Sequence, residues 1–301
     1  MARLRARGGF TLVEMMSALV IAGILATVIF RLVENQSRFV ATQGARQEAQ
    51  QNARGALDIM AGELRTLNPD GLIEAEAQSL TFMLPRGWGV VCNSTNVSTT
   101  TIDVIFPDLP ADAFGPGGSA GVLVDTAAGD SSKWAPMAVV DAGSRAVVTD
   151  TTRIDLAGGG NACADASSDG TAEAFTLSGA RFPAERRTGS LVMLYQLVKY
   201  DVGTSDGKWW VRRSNGVSGT TFSQQPLAGP LAAQDSMSFT YYRGTNAATV
   251  VPGTTRATLD DVSRIRIRVA MEGRNTVGGR AQRETDSVTV LLRNRNRRIT
   301  N

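Results

Sequence analysis

The 301-residue sequence predicts an α+β fold in which one long N-terminal helix packs on an antiparallel sheet carrying a loop-rich insertion. Three observations predict it. Residues 10–33 read FTLVEMMSALVIAGILATVIFRLV, an apolar run in which Glu14 is the one acid. Residues 34–68 contain no proline and space their apolar side chains by threes and fours. After Pro69 the chain breaks into short β-branched or aromatic runs separated by Gly, Ser and Asp clusters.

Composition narrows the function classes first. With 43% hydrophobic and 20% charged residues the chain is of ordinary globular make-up, neither a disordered tail nor a collagen. It has no histidine, which removes Ser-His-Asp and Cys-His catalysis and most zinc sites. Two cysteines allow one disulfide and no four-cysteine metal cage. The basic pI of about 9.1 hints at nucleic acid, but its source is local. Without Arg3, Arg5 and Arg7 the chain has 28 basic and 28 acidic residues.

The apolar run is long enough to cross a bilayer. Its 24 residues make a helix of about 36 Å at about 1.5 Å per residue, against a hydrocarbon core of about 30 Å. The basic leader, residues 1–9, precedes the run and no comparable cluster follows it at once. That asymmetry predicts one pass, with the N-terminus cytoplasmic and everything after about residue 33 exported. An ordinary secretory signal places its small-residue cut after the apolar run. Here the pair Gly8-Gly9 comes before it.

The order Gly9-Phe-Thr-Leu-Val-Glu14, joined to a span, resembles the class III signal of bacterial type IV prepilins. The resemblance implies cleavage between Gly9 and Phe10 by a prepilin peptidase, methylation of the new amine on Phe10, and a type IV pilin-like fold. It also implies that Glu14, fifth residue of the mature chain, pairs with the N-terminal amine of a neighbouring subunit. Physics favours such a partner. A carboxylate at the centre of a membrane helix costs about 2.5–3.5 kcal/mol on insertion scales. Many pilins carry a proline late in this segment; here the first proline is Pro69, so no specific kink is expected.

Beyond the span, Ala45, Ala49, Ala53, Ala56, Leu57, Met60, Leu64 and Leu67 form one stripe, with Gln and Arg on the other face. Small side chains suit close packing on a sheet better than a coiled-coil seam. Asn68-Pro69-Asp70-Gly71 supplies the stop. The chain thus divides into leader 1–9, spanning half 10–33, amphipathic half 34–68 and a β-rich exported domain 69–301.

Within that domain, strands are expected at residues 79–84, 101–107, 121–126, 136–141, 146–149, 190–202, 208–213, 236–243, 262–269 and 287–292. Residues from about 110 to 180, poor in large apolar side chains, read as the loop-rich insertion. Residues 203–207 read as the loop of a hairpin, and Asn215-Gly216 as a further turn. Ile265, Ile267 and Val269 alternate with Arg264, Arg266 and Arg268, giving one buried and one wet, basic face. Cys92 and Cys163 fall in an exported, disulfide-permissive compartment, which favours a bond over two free buried thiols. Closing that loop of 72 residues is worth roughly 4 kcal/mol in the chain-entropy model.

Residues 45–65 and 84–92 and the ending Leu291-Leu-Arg-Asn-Arg295 resemble the PilW-like minor pilins, and about 292 mature residues is roughly twice a usual major pilin. The resemblance implies a non-catalytic subunit of the tip or priming complex of a type IV pilus. Its partners would be other minor and major pilins, an inner-membrane assembly platform and, before assembly, membrane lipid. The large J-type pseudopilin of a type II secretion system has the same plan and is the alternative; adhesion and DNA uptake rank lower. No cofactor or metal is expected. The carboxylate pairs Asp165 with Asp169 and Asp260 with Asp261 sit in turn-like company where Asp is expected anyway, and the first lacks EF-hand spacing. Nucleic acid has material in Arg264, Arg266, Arg268 and the tail arginines Arg293, Arg295, Arg297 and Arg298. Against it stands the expectation that Glu284 and Asp286 pair across to the strand arginines.

Overall fold

The structure is a computed structural model describing residues 11–67, 71–93, 101–107, 121–124, 135–138, 145–148, 172–178, 189, 191–218, 221–243, 249–250, 253–259, 261–277 and 279–292. Helix α1 (Leu12–Arg65) is continuous over 54 residues, about 81 Å at about 1.5 Å per residue. With no proline inside it, nothing interrupts its hydrogen-bond ladder. It ends where Thr66 N–H turns back to the carbonyls of Glu63 and Leu64.

Among the described residues fourteen strands follow: β1 (Leu72–Ala75), β2 (Leu80–Asn93), β3 (Thr101–Phe106), β4 (Gly121–Val124), β5 (Ala135–Ala138), β6 (Arg145–Val148), β7 (Ala172–Ser178), β8 (Leu191–Ser205), β9 (Lys208–Ser218), β10 (Thr221–Leu231), β11 (Met237–Arg243), β12 (Thr249–Val250), β13 (Val262–Val277) and β14 (Arg280–Leu291). A short helix α2 (Arg256–Leu259) precedes β13. The pairings are antiparallel and join the strands into one curled sheet, in the order β12-β11-β13-β10-β9-β8-β2-β3-β7-β6. Strand β14 pairs with the other edge of β13, and β4 pairs with β5 and β8. This is the helix-on-antiparallel-sheet, pilin-like α+β plan that the patterning predicts. The loop-rich stretch from about 110 to 180 contributes β4, β5, β6 and β7.

The core lies between the second half of α1 and the sheet. Ala45, Ala49, Ala53, Ala56, Leu57, Met60 and Leu64 are buried, in the predicted stripe, against β13, β14 and β10. From the sheet, Phe82, Tyr200, Phe239, Tyr241, Ile265, Ile267 and Val269 meet them. The alanines let the axis approach closely, and at the lower end the approach is tighter still. A Cβ on Gly273 of β13 would stand 2.7 Å from the Ala45 carbonyl oxygen. Only a residue without a side chain lets strand and helix backbone touch there.

Three local expectations change. The β8–β9 hairpin turns on Asp206-Gly207 alone, both with positive φ (51° and 71°), so the five-residue loop at 203–207 shrinks to two residues. Asp-Gly is the pair that a type I′ turn favours, and its twist matches the flanking strands. Asn215-Gly216 is not a turn but lies within β9, paired to β8 on one side and β10 on the other. Residues 221–231, outside the strands expected from the sequence, form β10 although they hold Pro226 and Pro230; the ladder shifts register between Pro226 and Ala228, which accommodates the missing donor.

The register of β14 corrects a fourth. Asp286 stands opposite Val269 and Glu284 opposite Met271, not opposite the arginines, whose partners on β14 are Leu291, Thr289 and Ser287. Since side chains alternate faces, both acids belong to the face turned toward the helix. Asp286 Oδ2 accordingly lies 3.7 Å from Arg54 Nε on α1.

Candidate functional site

The site the sequence points to is the start of α1. Thr11 is the N-cap residue, with extended backbone (φ −78°, ψ 152°), and its Oγ1 accepts from the Glu14 N–H at 3.3 Å. Glu14 returns the bond: its Oε2 accepts from the Thr11 N–H at 3.0 Å and from the Thr11 hydroxyl at 3.1 Å. The two residues form a reciprocal capping box. It satisfies donors that a helix terminus leaves open, and sets a carboxylate at the positive end of the helix dipole.

The next two turns and more are apolar on every side. Each large apolar side chain from Leu12 to Val33 is more than half exposed, and an 18-residue window there reaches a mean hydropathy of 2.3. Its polar side chains are turned inward along the helix: Ser17 donates to the Glu14 carbonyl at 3.0 Å and Thr27 to the Ile24 carbonyl at 2.7 Å. A helix that is apolar all round and self-satisfied in its hydrogen bonds suits a hydrocarbon solvent. The exceptions are two charged side chains at its ends, the carboxylate of Glu14 and the guanidinium of Arg31.

Of the residues singled out from sequence, Glu14 is therefore placed at the helix start with a partner not foreseen, Thr11. The signal for it was the spacing Thr-x-x-Glu, which the family-like motif overshadowed. Gly9, Phe10 and Cys163 lie outside the described residues, as does the side chain of Cys92. So do Asp165, Asp169, Asp260 and the four tail arginines; Asp261 is engaged by Arg243 at 2.7 Å. Among the described residues no three His, Cys, Asp or Glu side chains converge on a possible metal site.

Residues 4–30 match the family described as the prokaryotic N-terminal methylation motif. The chain carries the class III signal of type IV prepilin-like proteins. No curated protein and no solved structure matches the chain. The match covers residues 4–9 of the leader with its glycine pair, the capping box and most of the apolar half of α1. The methylation motif implies processing by a prepilin peptidase, and an apolar helix behind such a signal suits anchoring in the inner membrane before assembly. Proteins with this signal are in general structural subunits rather than catalysts.

Proposed function

We propose that this prepilin-like chain is a minor pilin of the PilW type, acting in the tip or priming complex of a type IV pilus. Cleavage between Gly9 and Phe10 frees an amine one residue before the capping box, and Phe10 is then methylated. The observation that carries the reading is the Thr11–Glu14 box at the head of an exposed apolar helix. Before assembly the box gives the carboxylate two donors within its own chain, which offsets part of the cost of holding it at the membrane. In the filament the amine of a neighbouring subunit takes its place, adding a full positive charge that the neutral Thr11 donors lack. Apolar helix faces then pack on one another in place of lipid. The large exported sheet suits a subunit used in few copies, and Cys92 and Cys163 are assigned to one disulfide that pins the insertion.

Mass spectrometry of the chain expressed with and without a prepilin peptidase tests this. The processed form should begin at N-methylated Phe10 and co-purify with other minor pilins. A chain cut elsewhere, or one recovered with secretion-type pseudopilins, would replace this reading with a plain anchor or with the J-type alternative.

A further inference from the structure

The outer face of β13 carries Arg264, Arg266 and Arg268 in a row, and we propose that this face binds the phosphate backbone of a nucleic-acid strand. The alternation that buries Ile265, Ile267 and Val269 beneath α1 turns the three arginines to the opposite side, with Arg266 and Arg268 exposed. Residues two apart on a strand lie about 6.8 Å apart. That is close to the distance between neighbouring phosphates along an extended sugar–phosphate chain, so successive arginines fall in step with successive phosphates.

The flanks fit the same ligand. Opposite the arginines stand Tyr242, Thr240 and Ser238 on β11, and Leu291, Thr289 and Ser287 on β14. Five of these six carry hydroxyls, the neutral donors that accompany arginine at phosphate oxygens, and none is a carboxylate. The nearby acids are spent elsewhere or unpaired: Asp286 faces Arg54, Glu272 accepts from Arg283 at 2.7 Å, and Asp235 borders the hollow beside Arg268 without an ion pair. Among the described residues, Arg264, Arg266 and Arg268 form no ion pair. Arg266 donates to Ser287 Oγ at 3.3 Å; Arg264 lies 5.2 Å over the Tyr242 ring, and its Nε is buried without an acceptor. An acidic peptide would also bring charge, but an even stride with hydroxyls on both sides matches a polymer charged at every unit. In sequence, the four tail arginines follow β14 directly, with no acid among residues 293–301.

The test is fluorescence anisotropy of a labelled single-stranded 30-mer with the full chain in neutral detergent, from 50 to 200 mM salt. Binding should weaken with a log–log slope that includes about 0.7 per arginine, about 2 for the three. Replacing all three (Arg264→Gln, Arg266→Gln, Arg268→Gln) should remove that part of the slope and weaken binding by about 10-fold or more at 50 mM salt. The exposed pair Arg266→Gln and Arg268→Gln, which leaves Arg264 on Tyr242, should lose about two-thirds of it and keep the parent's melting curve. Absence of binding at 50 mM salt, or a triple variant with the parent's slope, overturns the proposal. So does displacement of the strand by poly-glutamate as readily as by unlabelled nucleic acid, since the face would then be a general acid-binding surface. Cleavage after Gly9 is read on the same samples, so failure here leaves the pilin reading separately testable.

Discussion

Arg213, in the middle of the sheet, reaches Glu63 on α1, with its Nη2 2.8 Å and its Nε 3.0 Å from Glu63 Oε1. The Tyr200 hydroxyl donates to the other carboxylate oxygen, and Arg213 also donates to Asn215. Both charged side chains are about one-fifth exposed (21% and 19%). Burial alone would pull the Arg213 guanidinium down; the Glu63 carboxylate and Tyr200 beside it more than reverse that. Removing one partner leaves a charge largely out of water. Glu63→Ala or Arg213→Ala should therefore destabilise the chain by about 2–3 kcal/mol, a discounted share of the cost at fully buried pairs, and Tyr200→Phe by about 1 kcal/mol. Urea titration in detergent checks the order, and a double-mutant cycle should show the first two effects to be far from additive.

High pH should unfold the protein through its tyrosines. Burial raises Tyr200 and Tyr241 well beyond the ordinary phenol range; Glu63 adds to the effect at Tyr200, and Glu76 and Glu74 at Tyr241. Burial raises Tyr195 too. A group whose folded pKa lies above its unfolded value contributes nothing to pH dependence while both states stay protonated. Stability is then lost as pH rises past the unfolded value near 10. Each of Tyr200 and Tyr241 should cost about 1.4 kcal/mol per pH unit above pH 10. Unfolding curves at pH 9, 10 and 11 measure this, and Tyr200→Phe should remove one tyrosine's share of the slope.

Gly273→Ala should cost about 1–3 kcal/mol, because its methyl would meet helix backbone rather than a flexible side-chain end. Gly207→Ala sets a different comparison: nothing crowds the position, so its cost comes from the φ of 71° alone. Thermal melts of the two variants separate contact from conformation; equal melting of Gly273→Ala and parent would contradict the close helix–strand approach.

At the helix start, Thr11→Ala should weaken the cap by about 1 kcal/mol yet leave cleavage and anchoring intact. Glu14→Ala should also anchor and be cleaved, but should fail to co-assemble with sister subunits. Pull-down of the variants from membranes containing the partners checks the pair. Parent-like recovery of Glu14→Ala would end the assembly account.

A free-thiol titration on the exported form should read zero for Cys92 and Cys163, and reduction should cost roughly 4 kcal/mol of stability, less if the bond is strained. Two titratable thiols would dismiss the bond.

The helix and the outline of the sheet were legible because period and length carry them. The Ala45 to Leu64 stripe keeps helical spacing throughout, and the Ile265/Arg266 alternation assigns each residue to its face from period alone. What was not legible depends on register. Nothing local distinguishes an Asn-Gly turn from an Asn215-Gly216 pair set between two strands. Likewise, one residue of slip in β14 would have put Asp286 against the arginines instead of toward Arg54. The Glu63–Arg213 pair joins residues 150 apart in sequence, and no spacing rule reaches that far. Glu14 was found through its motif, and its cap partner Thr11 was hidden by the same motif.

Between the last residue of the apolar run and the first buried alanine, α1 crosses residues 34–44, where Thr42 is half-buried and Phe39 and Val40 point bare hydrocarbon outward. Eleven helical residues make a stand-off of about 16 Å. A lipid headgroup field decays over about 8 Å at physiological ionic strength. In an upright subunit the body of the sheet therefore stands off the bilayer, while the β13–β14 hairpin, which passes Ala45 at Gly273 and runs on to Val277, reaches back into that gap.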